Sequence, residues 1–292
     1  MKKEQCLRRI SKDIRTVILN VKRYGNLGST TEMLGVVEFL HNAGYYPALI
    51  SADPTSQVLK NIYATLNDKG IPIKDQIIGQ GVLSINIENQ QGELANALFG
   101  YADDALVDFK GGASDLYYDE YGSAGNFYNS FVDTRFVQLT PIIDDEKSFS
   151  NLQQEFEQYQ DVDVPMDLIR VFSLGRIGNK QKREELLEKY EMWSNEHRFN
   201  DNIRTHVALF NTQWKTKESE NFFATKKIRE ATVKEMSNNK ILGAQFLNER
   251  DKFWANFFFA DSPAELERLA NLPHWQNPTD KWGKIIAPDL VK

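Results

Sequence analysis

The stretch that decides the fold is VILNVKRYGNLGSTTEMLGVVEF, Val17–Phe39. An apolar, β-branched run over Thr16–Val21 leads into a loop holding Gly25 and Gly28, and helical periodicity begins near Thr30. Strand, glycine loop and helix in that order aim free backbone N–H groups and the positive end of the helix dipole at the loop, which suits a phosphate. Gly25 and Gly28 also permit φ > 0 and close approach of a ligand. Ser29 and Thr30 are equally good N-caps, and no lysine stands in the loop.

Around this stretch the chain has 292 residues and 41% hydrophobic side chains, enough to bury a substantial core. A net charge of −6 and a pI near 5.4 exclude a general electrostatic attraction to nucleic acid or anionic lipid. DNA binding would need a local basic patch, for which Lys215–Lys240 has the charge; Asp144–Asp167 is strongly acidic, and the ordinary explanation of each segment is a solvated helix face. Cys6 is the only cysteine, which rules out an internal disulfide or multi-cysteine metal cluster and fits a reducing compartment. The opening MKKEQCLRRISKDI lacks the apolar core of a signal peptide, and no segment reaches the ~18 apolar residues of a membrane span. A cytoplasmic protein without a membrane span is expected.

Apolar β-branched runs alternate with helical periodicity along the chain, the pattern of βαβ units in an α/β fold with a mostly parallel sheet of about 7–8 strands flanked by helices. The expected strands are Thr16–Val21, Tyr46–Ser51, Val82–Ile87, Ala105–Phe109, Phe136–Ile143, Leu168–Ser173, Thr205–Asn211 and Ile241–Phe246. The expected helices are Thr30–Asn42, Thr55–Lys69, Gln91–Tyr101, Asn126–Val132, Ser148–Gln160, Lys180–His197, Phe223–Met236 and Ala264–Ala270. No linker, repeat or break in composition divides the chain, so 1–292 reads as one domain, with an irregular tail from Asn271 that carries Pro273, Pro278 and Pro288.

From Tyr24 the chain reads YGNLGSTT, and from Gly28 it continues GSTTEMLGVVEFLHNAGYYPALISADP. This resembles the ParA/MinD superfamily of deviant P-loop ATPases, whose members read roughly KGGVGKTT, then a helix ending in AG, then a strand ending in DADP or STDP. Tyr24–Thr31 aligns with the first motif without a gap, and Ala43–Gly44 and Asp53–Pro54 then fall in register. The resemblance covers Thr16–Pro54, thins to Asp108–Gly111 and Asn211, and elsewhere is one of topology. Gly25, Gly28, Thr30 and Thr31 agree with the motif, while Asn26 replaces a glycine, Tyr24 the lysine that reaches across a dimer, and Ser29 the P-loop lysine.

The resemblance implies a P-loop NTPase-like fold and a nucleotide site formed by Gly25, Asn26, Leu27, Gly28, Ser29, Thr30 and Thr31, with ATP and Mg²⁺ as ligands. Thr30 and Asp108, in ALVDFKGG, would hold the Mg²⁺, and the Gly111 N–H would sense the γ-phosphate. Asp53 would position the attacking water, and Asn211, at the end of VALFN, would bond adenine; both Asp108 and Asn211 are also ordinary strand-end residues. In phosphoryl transfer the protein mainly positions groups and neutralises charge, so loss of both lysines implies weak or slow hydrolysis. Lys22, Arg23 and Lys110 are the candidates to replace that charge; each is otherwise a plain surface cation.

Two functions stand open at this stage. One is a ParA-like homodimeric switch acting with a partner protein in plasmid or chromosome partition, stability or conjugation; ALVDFKGGAS is loosely similar to the TraL/StbB plasmid proteins, which read DNGAS there. The other is a non-catalytic pseudo-ATPase serving as adaptor or scaffold. His41, His197, His206 and His274 show no metal-ligand spacing, and there is no GxSxG elbow. The aromatic run FWANFFF, Phe253–Phe259, reads as core or subunit contact.

Overall fold

The apolar runs become strands of one sheet, and every ladder in it is parallel. The computed structural model describes residues 9–11, 13–21, 24, 28–53, 58–89, 91–112, 115, 120–211 and 240–271. Among these, β1 (Arg15–Leu19), β2 (Ala48–Ala52), β3 (Val82–Ser84), β4 (Ala105–Phe109), β5 (Thr134–Ile142), β6 (Met166–Ser173) and β7 (Ile203–Phe210) form a seven-stranded sheet in the order β3-β2-β4-β1-β5-β6-β7. The helices are α1 (Ser29–Ala43), α2 (Val58–Tyr63), α3 (Gln91–Gly100), α4 (Ala124–Asn129), α5 (Glu146–Gln158), α6 (Lys180–Glu196), α7 (Lys240–Phe259) and α8 (Pro263–Ala270), with a 3-10 turn at Leu174–Arg176.

Strand alternation sends Val17 and Leu19 to one face of the sheet and Ile18 to the other. The first face is covered by Leu94 and Leu98 of α3 and Phe127 of α4. On the opposite face lie α1, α2, α7 and α8, through residues such as Met33, Leu59, Trp254 and Leu269. Both faces are buried except along the edge strand β7, where Val207 and Leu209 are exposed, which is why the inner strands read as continuous apolar runs with little alternation. The connection from β1 leads one way along the sheet, to β2, and that from β5 leads the other way, to β6. The carboxyl ends of β1 and β5 therefore flank a topological switch point, where open α/β sheets hold ligands.

Two expectations need correction. The run Ile241–Phe246 is no strand but part of α7. No Gly or Pro separates it from Phe253–Phe259, and Phe253, Trp254, Phe257 and Phe258 fall on one helical face; a strand would turn half of them to solvent. Trp254, Ala255 and Phe259 are buried, with Phe258 stacked on Phe39 of α1, so the aromatic run is core. The helix expected over Thr55–Lys69 is described only at Val58–Tyr63. Asn67 Oδ1 accepts from the N–H groups of Lys69 and Ile71, both at 3.0 Å, and Gly70 takes φ 73, so side chain and glycine turn the backbone out of the helix.

The acidic segment is solvated over most of its length, with Asp144, Glu146, Glu157, Asp161 and Asp163 exposed. Its helix α5 is capped by Asp145, whose side chain accepts from Lys147 N–H. Yet Glu155 and Asp167 are buried, not solvated. Glu155 pairs with Arg170 and accepts from Thr140, while Asp167 accepts from Arg135, Arg204 and His206. The helix expected at Phe223–Met236, the basic segment short of Lys240, the tail beyond Asn271 and His274 lie outside the described residues. Among the described residues, no helix is long and apolar enough to cross a membrane.

Candidate functional site

The site forms where β1, β2, β4 and β6 end. Gly28 occupies the left-handed region at φ 91 and ψ 10 immediately before α1, so the helix starts abruptly with its N–H groups toward the strand ends. At the other end Gly44, φ 85, closes the helix and its N–H bonds to the carbonyls of Leu40 and His41. The AG at the end of this helix is thus a C-cap.

Register then assembles the carboxylates. In the β2–β4 ladder Ser51 pairs with Asp108 and Ala52 with Phe109, so Asp53 and Lys110 leave neighbouring strands side by side. Asp108 and Asp53 are both buried. Thr30, in the first turn of α1, donates its hydroxyl to Asp108 Oδ1 at 3.3 Å. Lys110 Nζ pairs with Glu88 Oε1 at 2.5 Å, and that hydrogen bond, with Asp53 nearby, holds the ammonium above its ordinary range.

Of the remaining expected site residues, Ser29 is buried at the start of α1 and Thr31 is half-buried. Gly111 opens the turn after β4, with Gly112 at φ 83 behind it. Asn211 follows β7 and is exposed. It lies on the same edge of the sheet as Gly28, but β5 and β6 intervene between β1 and β7, a span of roughly 14 Å at ~4.8 Å per strand. Lys22, Arg23, Gly25, Asn26 and Leu27 lie outside the described residues.

Three participants were not anticipated. Asn20, the polar residue ending VILN, is buried; its Nδ2 donates to Asp108 Oδ1 at 2.5 Å and its Oδ1 accepts from Phe109 N–H at 2.7 Å. Arg176, in the turn after β6, brings its guanidinium against the glycine loop: a Cβ built on Gly28 would lie 2.7 Å from Arg176 Nη1. Arg250 of α7 grips Glu32 in the first turn of α1, through Nε to Oε2 at 2.8 Å and Nη2 to Oε1 at 2.7 Å, while Ser173 donates to the same Oε1 at 3.3 Å. A buried polar residue closing an apolar run signalled Asn20, and an arginine just past a strand's carboxyl end signalled Arg176. Nothing local signalled Arg250, because its partner is 218 residues away.

Among the described residues, no three of His, Cys, Asp and Glu gather to hold a metal. Thr30 and Asp108 offer two oxygens, the donor type that Mg²⁺ prefers, and leave its other positions to phosphate and water. The chain matches no protein-family model and no curated protein.

Proposed function

We propose that the chain is a nucleotide-dependent switch of the ParA/MinD type, binding ATP with Mg²⁺ at the start of α1 and hydrolysing it weakly or slowly. The observation that carries the reading is the 3.3 Å contact between Thr30 and Asp108 beside the left-handed Gly28. It supplies a hard-oxygen cation site next to a helix N-terminus, the two elements that Mg-phosphate recognition needs. Bound Mg²⁺ would neutralise charge on the phosphates; Thr30 and Asp108 would hold it, and Asp53 would orient water. Arg176, against Gly28, supplies the cation that Tyr24 and Ser29 do not. On this reading the nucleotide governs homodimerisation or binding of a partner protein, in plasmid or chromosome partition, stability or conjugation, with DNA contacted through the 215–240 segment.

A second reading, a pseudo-ATPase adaptor, is favoured by two observations. Ser29 is buried where a lysine would reach phosphate, and Lys110 is drawn to Glu88. Thermal unfolding with Mg-ATP, Mg-GTP and ADP separates the two, since a ligand specific to the folded state stabilises it by roughly 2.7 kcal/mol at a hundredfold excess over Kd. The switch requires a shift with at least one nucleotide, and the adaptor requires none.

A further inference from the structure

Among the described residues β7 forms one edge of the sheet and runs for eight residues, against three in β3 at the other edge. Its ladder with β6 is set by the Met166 N–H, which donates to the Asn202 carbonyl at 3.0 Å. Alternation along a parallel ladder then gives the N–H and C=O groups of Arg204, His206 and Ala208 to β6 and turns those of Ile203, Thr205, Val207 and Leu209 outward. The Ile203 N–H is taken by the Asn200 carbonyl at 3.1 Å. Among the described residues nothing bonds to the outward N–H and C=O groups of Thr205, Val207 and Leu209.

The side chains of Thr205, Val207 and Leu209 share one face of the sheet, opposite to the face where His206 and Phe210 meet Phe257 and Phe253 of α7. Val207 is 45% and Leu209 46% exposed, and Thr205 is exposed beside them. Arg204 and His206 lie on the α7 side and are both engaged by Asp167. The outer strip therefore carries no charge and no proline, and its register with β6 is unbroken by a bulge. Those are the devices by which proteins guard an open edge against pairing with another strand.

We propose that β7 is the contact between two copies of this chain, which pair antiparallel along it about a two-fold axis at Val207. The residues with outward donors and acceptors are symmetric about Val207. In this register Val207 faces Val207 of the partner subunit and Thr205 faces Leu209 of the partner subunit, and each facing couple exchanges a pair of N–H···O=C bonds. The two-fold keeps both apolar strips on the same face, so the valine and leucine side chains of the copies meet and leave water together. With no charge on the strip, no like charges are set opposite one another. A patch that meets itself is isologous and stops at two subunits; a head-to-tail chain would have to pair β7 with the short β3. The contact needs no nucleotide and does not use the Gly28 loop.

The test is sedimentation equilibrium of the full-length protein, without nucleotide, over a dilution series from sub-millimolar to micromolar. A mass that rises with concentration toward twice the 33.6 kDa of one chain is expected. Val207→Lys and Leu209→Lys put a charge on exposed positions of the strip and are each expected to hold the protein as a monomer. Met192→Lys, at an exposed apolar residue of α6, is expected to leave the dimer intact. Amide hydrogen exchange on the unaltered protein decides where a variant fails to fold. The amides of Thr205, Val207 and Leu209 are expected to be protected in the dimer and to exchange fast on dilution, while those of Arg204, His206 and Ala208 stay protected throughout. A monomer at every concentration, a dimer that survives both lysine variants on β7, or outward amides whose exchange ignores concentration would overturn the proposal.

Discussion

Asn20 and Asp108 end the adjacent parallel strands β1 and β4 and are locked together: Asn20 Nδ2 donates to Asp108 Oδ1 at 2.5 Å while Asn20 Oδ1 takes the N–H of Phe109 at 2.7 Å. The amide thereby bridges the strand carrying Asp108 and the strand that leads into the glycine loop, and it fixes the oxygen that Thr30 also reaches. Asn20→Leu removes the acceptor of the buried Phe109 N–H and one of the donors to Asp108 Oδ1, leaving that oxygen to Thr30. A loss of about 1–3 kcal/mol per orphaned group is expected in urea unfolding. A neutral result would mean that the two strand ends are held by the sheet alone.

Glu32 and Arg250 form a buried pair joining α1 to α7, with Arg250 also 4.3 Å over the Phe210 ring. Removing one partner strands the other charge in the core. Glu32→Leu or Arg250→Met alone is expected to cost roughly 3–5 kcal/mol, and the double variant much less than the sum. Additive losses in the double-mutant cycle would show that the pair does not couple the helices.

Asp167 sets an acid limit on stability. Burial pushes its carboxyl upward, but the hydrogen bond from His206 and the charge and hydrogen bonds of Arg135 and Arg204 outweigh this and hold it at about 2. A carboxyl depressed from 3.8 to about 2 contributes roughly 2 kcal/mol, present above pH ~4 and lost as pH falls from there toward 2. Asp167→Asn is therefore expected to be less stable at neutral pH and to show a flatter decline between pH 4 and pH 2. An unchanged acid limb would contradict the assignment.

Gly28 is constrained twice, by φ 91 and by Arg176 Nη1 at 2.7 Å from a would-be Cβ. Gly28→Ala is expected to cost on the order of 1–2 kcal/mol from the left-handed backbone alone, and to move Arg176. Adding Arg176→Ala removes the collision but not the backbone strain, so calorimetric unfolding of the double variant is expected to recover only part of the loss. Full recovery would place the whole cost in the side-chain contact.

The sheet was legible because both faces of its inner strands are buried, so these read as apolar, β-branched runs, and the intervening helices carry periodicity. Strand order and register are not local properties, and it is register that brings Ser51 opposite Asp108 and hence Asp53 beside Lys110. Ile241–Phe246 misled because a short apolar run fits a buried strand and a buried helix equally; its continuation through Phe253–Phe259 decides for the helix. Two residues of the acidic segment depart from its solvated pattern for a different reason. Counting charges around Glu155 and Asp167 cannot reveal that Arg170, Arg135 and Arg204 are brought to them from other strands. The resemblance singled out Thr30 in the loop, Asp53 in SADP and Asp108 in ALVDFKGG, whereas Arg176 and Arg250 reach the start of α1 only through tertiary packing.

The most direct measurement of the central claim is isothermal calorimetry of ATP with and without Mg²⁺, on the unaltered protein and on Thr30→Ala, Asp108→Asn and Arg176→Ala. The account expects Mg-dependent binding to the unaltered protein. It expects that dependence to vanish in Thr30→Ala and Asp108→Asn, and affinity to fall about tenfold or more in Arg176→Ala, the loss of a charge-assisted contact. No heat of binding with ATP, together with no thermal shift from any nucleotide, would contradict it and leave the adaptor reading.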